Sequence, residues 1–143
     1  MKKLFLVLLI IVQACMAFAQ NFSVDESVYA SVDIPPHYLN GGDKGLLSDL
    51  YTIISETAPV SQDSVKGRAA VSFSVSKDGQ IDTGSIKVIR NWSVPDDYLK
   101  AAIEAIKKLG KFEPGKQLGT PKRVIYTIPV IYPAPPEYIK TNE

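Results

Sequence analysis

KFEPGKQLGTPKRVIYTIPVIY, residues Lys111–Tyr132, is the stretch whose reading decides the fold. It runs from a buried aromatic, Phe112, through a Pro114-Gly115 turn and a second break at Gly119-Thr120-Pro121, into one long strand. Side chains alternate sides along a strand, so Val124, Tyr126, Ile128, Val130 and Tyr132 share one face and Ile125, Thr127, Pro129 and Ile131 the other. Both faces carry apolar residues, which predicts cover on both, from the core and from something else. Pro129 has no N–H to give a ladder and belongs at a sheet edge with that position turned outward. The fold is therefore expected to close on a long edge strand.

Working back along the chain, the period is two from Arg68. Val71, Phe73 and Val75 point one way, and Ser72, Ser74 and Ser76 the other, which describes a half-buried strand. Asp78-Gly79 is a tight-turn signal, and Ile81, Ile86, Val88 and Ile89 make the return strand, with an irregularity at Thr83-Gly84. A helix follows from Val94 to Leu109, with Ser93 and Asp96 as a capping box and Pro95 in the first turn. Leu99, Ala102, Ile103, Ile106 and Leu109 lie on one face, and Gly110 stands at the C-cap. Trp92 reads as core beneath this helix.

Upstream, Asn40-Gly41-Gly42-Asp43 reads as a turn with Asp43 as N-cap. Leu46, Leu47, Leu50, Ile53 and Ile54 then form the stripe of a first helix. A strand-helix-strand crossover places the last strand parallel to the second, and the simplest site is beside the first. The fold class is α+β: a three-stranded, antiparallel-containing sheet of order 2-1-3, with both helices packed on one face. Residues 34–38, Ile-Pro-Pro-His-Tyr, are extended because each residue before a proline is pushed out of the helical region. Residues 21–33 are either a mobile lead-in or a short extra strand, and residues 57–67 are a polar connection broken by Pro59.

The first nineteen residues are organised for export. Lys2 and Lys3 precede an apolar run from Leu4 to Val12, and Ala17-Phe18-Ala19 is a cleavage site. Two rival fates are retention of residues 4–19 as a membrane anchor and lipidation of Cys15. The run is short of the roughly 20 residues that span a bilayer. Cleavage after Ala19 removes two of 16 basic residues and none of 15 acidic ones, leaving a net charge of −1. Nothing in that balance draws the protein to nucleic acid. Cleavage also removes Cys15, the sole cysteine, and with it disulfides and thiol catalysis. The expected domains are 1–19 signal peptide, 20–39 extended lead-in, 40–132 folded domain and 133–143 Pro-rich tail.

No catalytic constellation assembles. One histidine, His37, has no acidic or cysteine neighbours and reads as a surface residue rather than a metal ligand. No nucleophile elbow is present, and Asp78, Asp96 and Asp97 have turn and helix-terminus roles. The reading is a protein that is not an enzyme and takes no cofactor or metal.

GRAAVSFSVSKDGQIDTGSIKVIR (Gly67–Arg90), the helix after Val94 and the Lys111–Tyr132 stretch together resemble the TonB C-terminal domain, in the version common in Bacteroidetes-type bacteria. The glycine before the first strand, the Lys-Asp-Gly hairpin, the Phe-x-Pro-Gly-Lys turn and the closing Tyr-Thr-x-Pro-Val strand fall in family order. Asn40-Gly41-Gly42 stands where the family has Pro-Gly-Gly, with Leu39-Asn40 in place of Phe-Pro and Ala58-Pro59 in place of Tyr-Pro. The resemblance implies a periplasmic domain that docks a short peptide, the TonB box of an outer-membrane transporter, as an added strand on its last strand. Carried over, the partner-binding residues are Lys122, Arg123, Val124, Tyr126, Ile128, Val130 and Tyr132. Pro129 removes one rung and concentrates pairing at Lys122–Ile128.

A full energy transducer of that family has a retained anchor and a long Pro- and Lys-rich linker. Here residues 20–66 precede the first strand, and part of them is helix, too short to cross a periplasm. The expectation is therefore a stand-alone secreted binding module for an outer-membrane transporter or another envelope protein. Two rivals are a short anchored transducer and a module that dimerises through the last strand. The tail Pro133–Glu143 either covers that edge or is disordered. A membrane is involved only if residues 4–19 stay or Cys15 is lipidated.

Overall fold

The computed structural model describes residues 27–58 and 65–140. The segment read as an export signal, its three expected fates and Pro59 lie outside them. Strand β1 (His37–Tyr38) leads into helix α1 (Gly42–Thr57). Strands β2 (Gly67–Val75) and β3 (Ile81–Trp92) form the hairpin, and helix α2 (Asp96–Lys107) follows. Short strands β4 (Phe112–Glu113), β5 (Lys116–Gln117) and β6 (Thr120–Pro121) precede β7 (Val124–Tyr132), and a 3-10 turn spans Pro136–Tyr138.

The main sheet has the order β3-β2-β7, both pairings antiparallel, so β3 and β7 run parallel on either side of β2, as expected. Its helix-facing side buries Ala69, Val71, Phe73 and Val75 of β2 with Ile128, Val130 and Tyr132 of β7. Against them pack Leu46, Leu50, Tyr51 and Ile54 of α1 and Leu99, Ala102, Ala105 and Ile106 of α2. Phe112 sits among aromatics, 5.1 Å from the Tyr38 ring, 5.4 Å from Tyr126 and 6.1 Å from Phe73, all edge-on. Truncating such a buried phenylalanine to alanine costs about 3–5 kcal/mol.

Two glycines are dictated by contact. A Cβ on Gly67 would lie 2.5 Å from the Ser93 carbonyl, where the chain leaves β3 for α2. At Gly79 the backbone is left-handed (φ 79°) and a Cβ would meet the Phe112 carbonyl at 1.9 Å; the Phe112 N–H donates to the Gly79 carbonyl at 2.8 Å. The hairpin tip is thereby tied to the aromatic cluster.

The helix ends differ from expectation. Gly41, with φ 89°, is the N-cap of α1 and makes no side-chain cap bond. Two glycines accept the left-handed turn, and Asp43 falls inside the first turn, where it accepts the Tyr126 hydroxyl. Ser93 is likewise no cap: it has φ 63°, and α2 starts after Pro95. Asn91 shapes that approach instead, accepting from the Val94 N–H at 2.9 Å and donating to its carbonyl at 3.0 Å. Lys108, not Gly110, is the C-cap; the Gly110 N–H donates to the Tyr38 hydroxyl.

Trp92 is 44 % exposed and not core. The register shifts by one residue between Ala70 and Val71: Ala70 faces Arg90, Val71 faces Val88, and Ile89 is the extra residue. That bulge inverts the alternation, so Arg90 and Trp92 turn to the face opposite Val88. A second irregularity lies between Lys87 and Asp82, around Thr83-Gly84. There the Ser85 hydroxyl accepts the Ser74 N–H at 2.8 Å. The serine face of β2 is also more enclosed than half-buried, since Ser72 and Ser74 are both buried.

The lead-in is pinned at Tyr29 and Ile34. Ile34 exchanges two backbone hydrogen bonds with Lys116, and β1 pairs with β4. Residues 133–140 of the tail fold onto α1 rather than along β7: Tyr138 stacks on Tyr51 at 5.7 Å, Ser48 donates to the Tyr138 carbonyl, and Lys140 pairs with Asp49 at 2.9 Å. Asp49 also accepts from the Tyr38 hydroxyl at 2.9 Å and the Asn40 amide at 2.7 Å. Burial opposes the charge on Asp49, but the bonds from Lys140, Asn40 and Tyr38 outweigh it and hold the carboxyl below its ordinary value.

Candidate functional site: the outer edge of β7

Backbone groups of β7 alternate between β2 and the free side. The Ile125 N–H goes to Tyr29 and the Ile131 N–H to the Tyr51 hydroxyl, so odd-numbered residues present their backbone outward and even-numbered ones bond β2. Pro129 falls in the outward set, so its missing N–H costs the β2–β7 ladder nothing. That is the placement its chemistry requires.

Both ends of this edge are closed. At the start, the Tyr29 N–H donates to the Arg123 carbonyl and the Tyr29 carbonyl accepts from the Ile125 N–H, each at 2.9 Å, in a parallel bridge. The Lys122 ammonium stands 5.5 Å from the Tyr29 ring centroid. At the far end, Tyr51 of α1 donates to the Pro129 carbonyl and accepts the Ile131 N–H at 2.9 Å, while Tyr98 of α2 donates to the Ile131 carbonyl at 3.0 Å. Burial pushes both phenols above their usual range, which keeps them as donors at any physiological pH. Between these closures, the Ile125 carbonyl and the N–H and carbonyl of Thr127 have no partner among the described residues.

The residues singled out from sequence divide by parity. Val124, Ile128, Val130 and Tyr132 are buried on the helix side. Tyr126 packs on Phe73 and Phe112. Burial, then its bond to Asp43, raise its hydroxyl pKa. Lys122 and Arg123 lie at the mouth of the strand. Arg123 donates from Nε to Ser74 Oγ at 3.0 Å and pairs with Asp82. Arg123 lines a shallow groove of about 540 Å³ on the outer face, with Val28, Ser72, Ser74, Asp82, Lys87 and Ile125 among others. The side chains standing beside the open backbone belong to the other set, Ile125 (42 % exposed), Thr127, Pro129 and Ile131 (36 %).

Tyr29, Tyr51 and Tyr98 were not legible as edge closures. The signal for the last two was a tyrosine set in an apolar helix stripe, a side chain whose buried body needs a partner for its polar tip. Tyr29 carried none.

A family model for the C-terminal part of the Gram-negative bacterial TonB protein matches residues 61–133, just over half of the 143 residues. The chain belongs to that family. Neither the curated proteins nor the solved structures give a match. TonB C-terminal domains are interaction and energy-transduction modules of the Gram-negative envelope, and generally engage outer-membrane TonB-dependent transporters. Among the described residues no helix is long and apolar enough to cross a membrane, and no cluster of His, Cys, Asp or Glu is arranged to hold a metal.

Proposed function

We propose that this TonB C-terminal domain is a periplasmic docking module that accepts an extended peptide from an outer-membrane transporter, or from another envelope protein, as an added strand along residues 122–132. The observation that carries the reading is the open stretch at Ile125 and Thr127, in a strand whose outer edge is otherwise closed. Backbone groups there offer affinity to any extended chain, and the flanking side chains supply selection. Lys122 and Arg123 stand at the mouth of the site. Val124, Tyr126, Ile128, Val130 and Tyr132 hold the strand through the core and its bonds to β2.

The test is Thr127→Pro, which deletes the one outward N–H of β7 that has no partner among the described residues, without touching the β2 ladder. Substitutions at Tyr126 or Ile128 would disturb the core and are poorer probes. A synthetic peptide copying the TonB box of a candidate transporter is titrated calorimetrically against native and variant protein. The expected outcome is binding weakened by about tenfold or more with thermal unfolding little changed. Equal affinity in a folded variant would remove the edge as the site.

A further inference from the structure

A second surface lies on the outer face of the sheet, away from the helices. The register sets Trp92, Arg68 and Ile131 in one row across β3, β2 and β7, with Arg90, Ala70 and Pro129 in the next and Lys87, Ser72 and Thr127 in the third. The guanidinium carbons of Arg68 and Arg90 stand 5.1 Å and 5.4 Å from the Trp92 ring centroid. In the first two rows Trp92, Arg68, Ile131, Arg90 and Pro129 are all exposed, and the bulged Ile89 beside them is 60 % exposed. Arg68, Lys87 and Arg90 make no ion pair among the described residues. The acid nearest in register, Asp82 in the fourth row, is engaged by Arg123.

Three cations on one face with no ion pair among the described residues make a site for anions. A guanidinium over an indole uses its flat face for the ring and keeps its in-plane N–H groups for a carboxylate. The ring contact also restrains the side chain before a ligand arrives. The cations are arranged along strands, where like-facing residues repeat every ~7 Å; an extended segment presents its alternate side chains at the same interval. Trp92 is flanked by its arginines rather than projecting as a membrane-inserting residue would. We propose that this face binds an acidic, extended segment of a partner polypeptide, its carboxylates paired with Arg68 and Arg90 and its apolar atoms lying on Trp92.

Trp92 is the only tryptophan, so its fluorescence reports on this surface alone. The probe is a short Glu-Ser repeat peptide, free of tyrosine and tryptophan, titrated against its Gln-Ser counterpart. The expected result is a saturable change in Trp92 emission with the glutamate peptide only, abolished by about 0.5 M salt through charge screening. In the Arg68→Gln, Arg90→Gln double variant the affinity should fall by about tenfold or more, with the circular dichroism spectrum unchanged. An absent response, an equal response to the glutamine peptide, or full affinity in the double variant would overturn the proposal. A response to anionic lipid vesicles without one to the peptide would also overturn it, in favour of a lipid surface.

Discussion

The backbone N–H of Ile131 donates to the Tyr51 hydroxyl at 2.9 Å, so a core residue of α1 closes the outer edge of a strand 80 residues further along the chain. The same hydroxyl donates to the Pro129 carbonyl. Tyr51→Phe keeps the ring and removes both bonds, leaving the Ile131 N–H to water or to a partner. The expected loss is about 1–3 kcal/mol in urea denaturation, with faster hydrogen exchange at Ile131 than at Val130.

The other closure is looser, because it rests on one bridging residue. A chain beginning at Ser31 lacks Tyr29 and with it the bonds from Tyr29 to the Arg123 carbonyl and the Ile125 N–H. Its Ile125 amide should exchange faster. Its affinity for an edge-docking peptide should rise by up to about tenfold, since a resident competitor of about two hydrogen bonds has gone. Unchanged exchange at Ile125 would show that Tyr29 does not hold the edge in solution.

Asp49 makes stability depend on pH. Its folded-state pKa lies below the unfolded value because of bonds from Lys140, Asn40 and Tyr38, against the opposing effect of burial. A depressed carboxyl stabilises the fold above the unfolded pKa, and that contribution disappears as the pH falls through the folded one. Denaturation of native protein and Asp49→Asn should therefore differ near neutrality and converge in acid. Lys140→Ala should reproduce part of the difference, being one of the three donors.

Tyr132 carries a buried hydroxyl with no hydrogen-bond partner among the described residues. Its ring meets Tyr98 edge-on at 4.8 Å. Tyr132→Phe retains that contact and relieves the unpaired oxygen, so its unfolding midpoint should match or exceed the native one, by about 1 kcal/mol at most.

Much of this was legible in the residues. Alternation in Val71, Phe73 and Val75, the Asp78-Gly79 turn, the stripe of α2 and the proline in β7 sufficed for the sheet order and for placing β7 at an edge. Local chemistry misled where backbone geometry took over. Asp43 and Ser93 are good capping residues, but Gly41 and a left-handed Ser93 set the turns. Trp92 was misplaced because one bulged residue inverts the parity of β3, and no periodicity announces it. Tyr29 was invisible because the contact joins residues far apart in the chain, with a single bridge and no repeating pattern. For β7 itself, the proline marked an edge strand, while parity separates the side chains that anchor it from the backbone groups on its outer side.

The shortness of the opening in β7 has a consequence for self-association. A foreign strand is held by a run of successive rungs, and between Tyr29 and Tyr51 little more than one residue's worth is on offer. Another copy of this sheet, bringing only backbone, would lose most of its hydrated groups' water for few bonds in return. A strand with side chains suited to Ile125, Thr127 and Pro129 would not depend on rungs alone. On the proposed docking function, the closures act as a filter, guarding the last strand against indiscriminate stacking while leaving one foothold for a chosen chain.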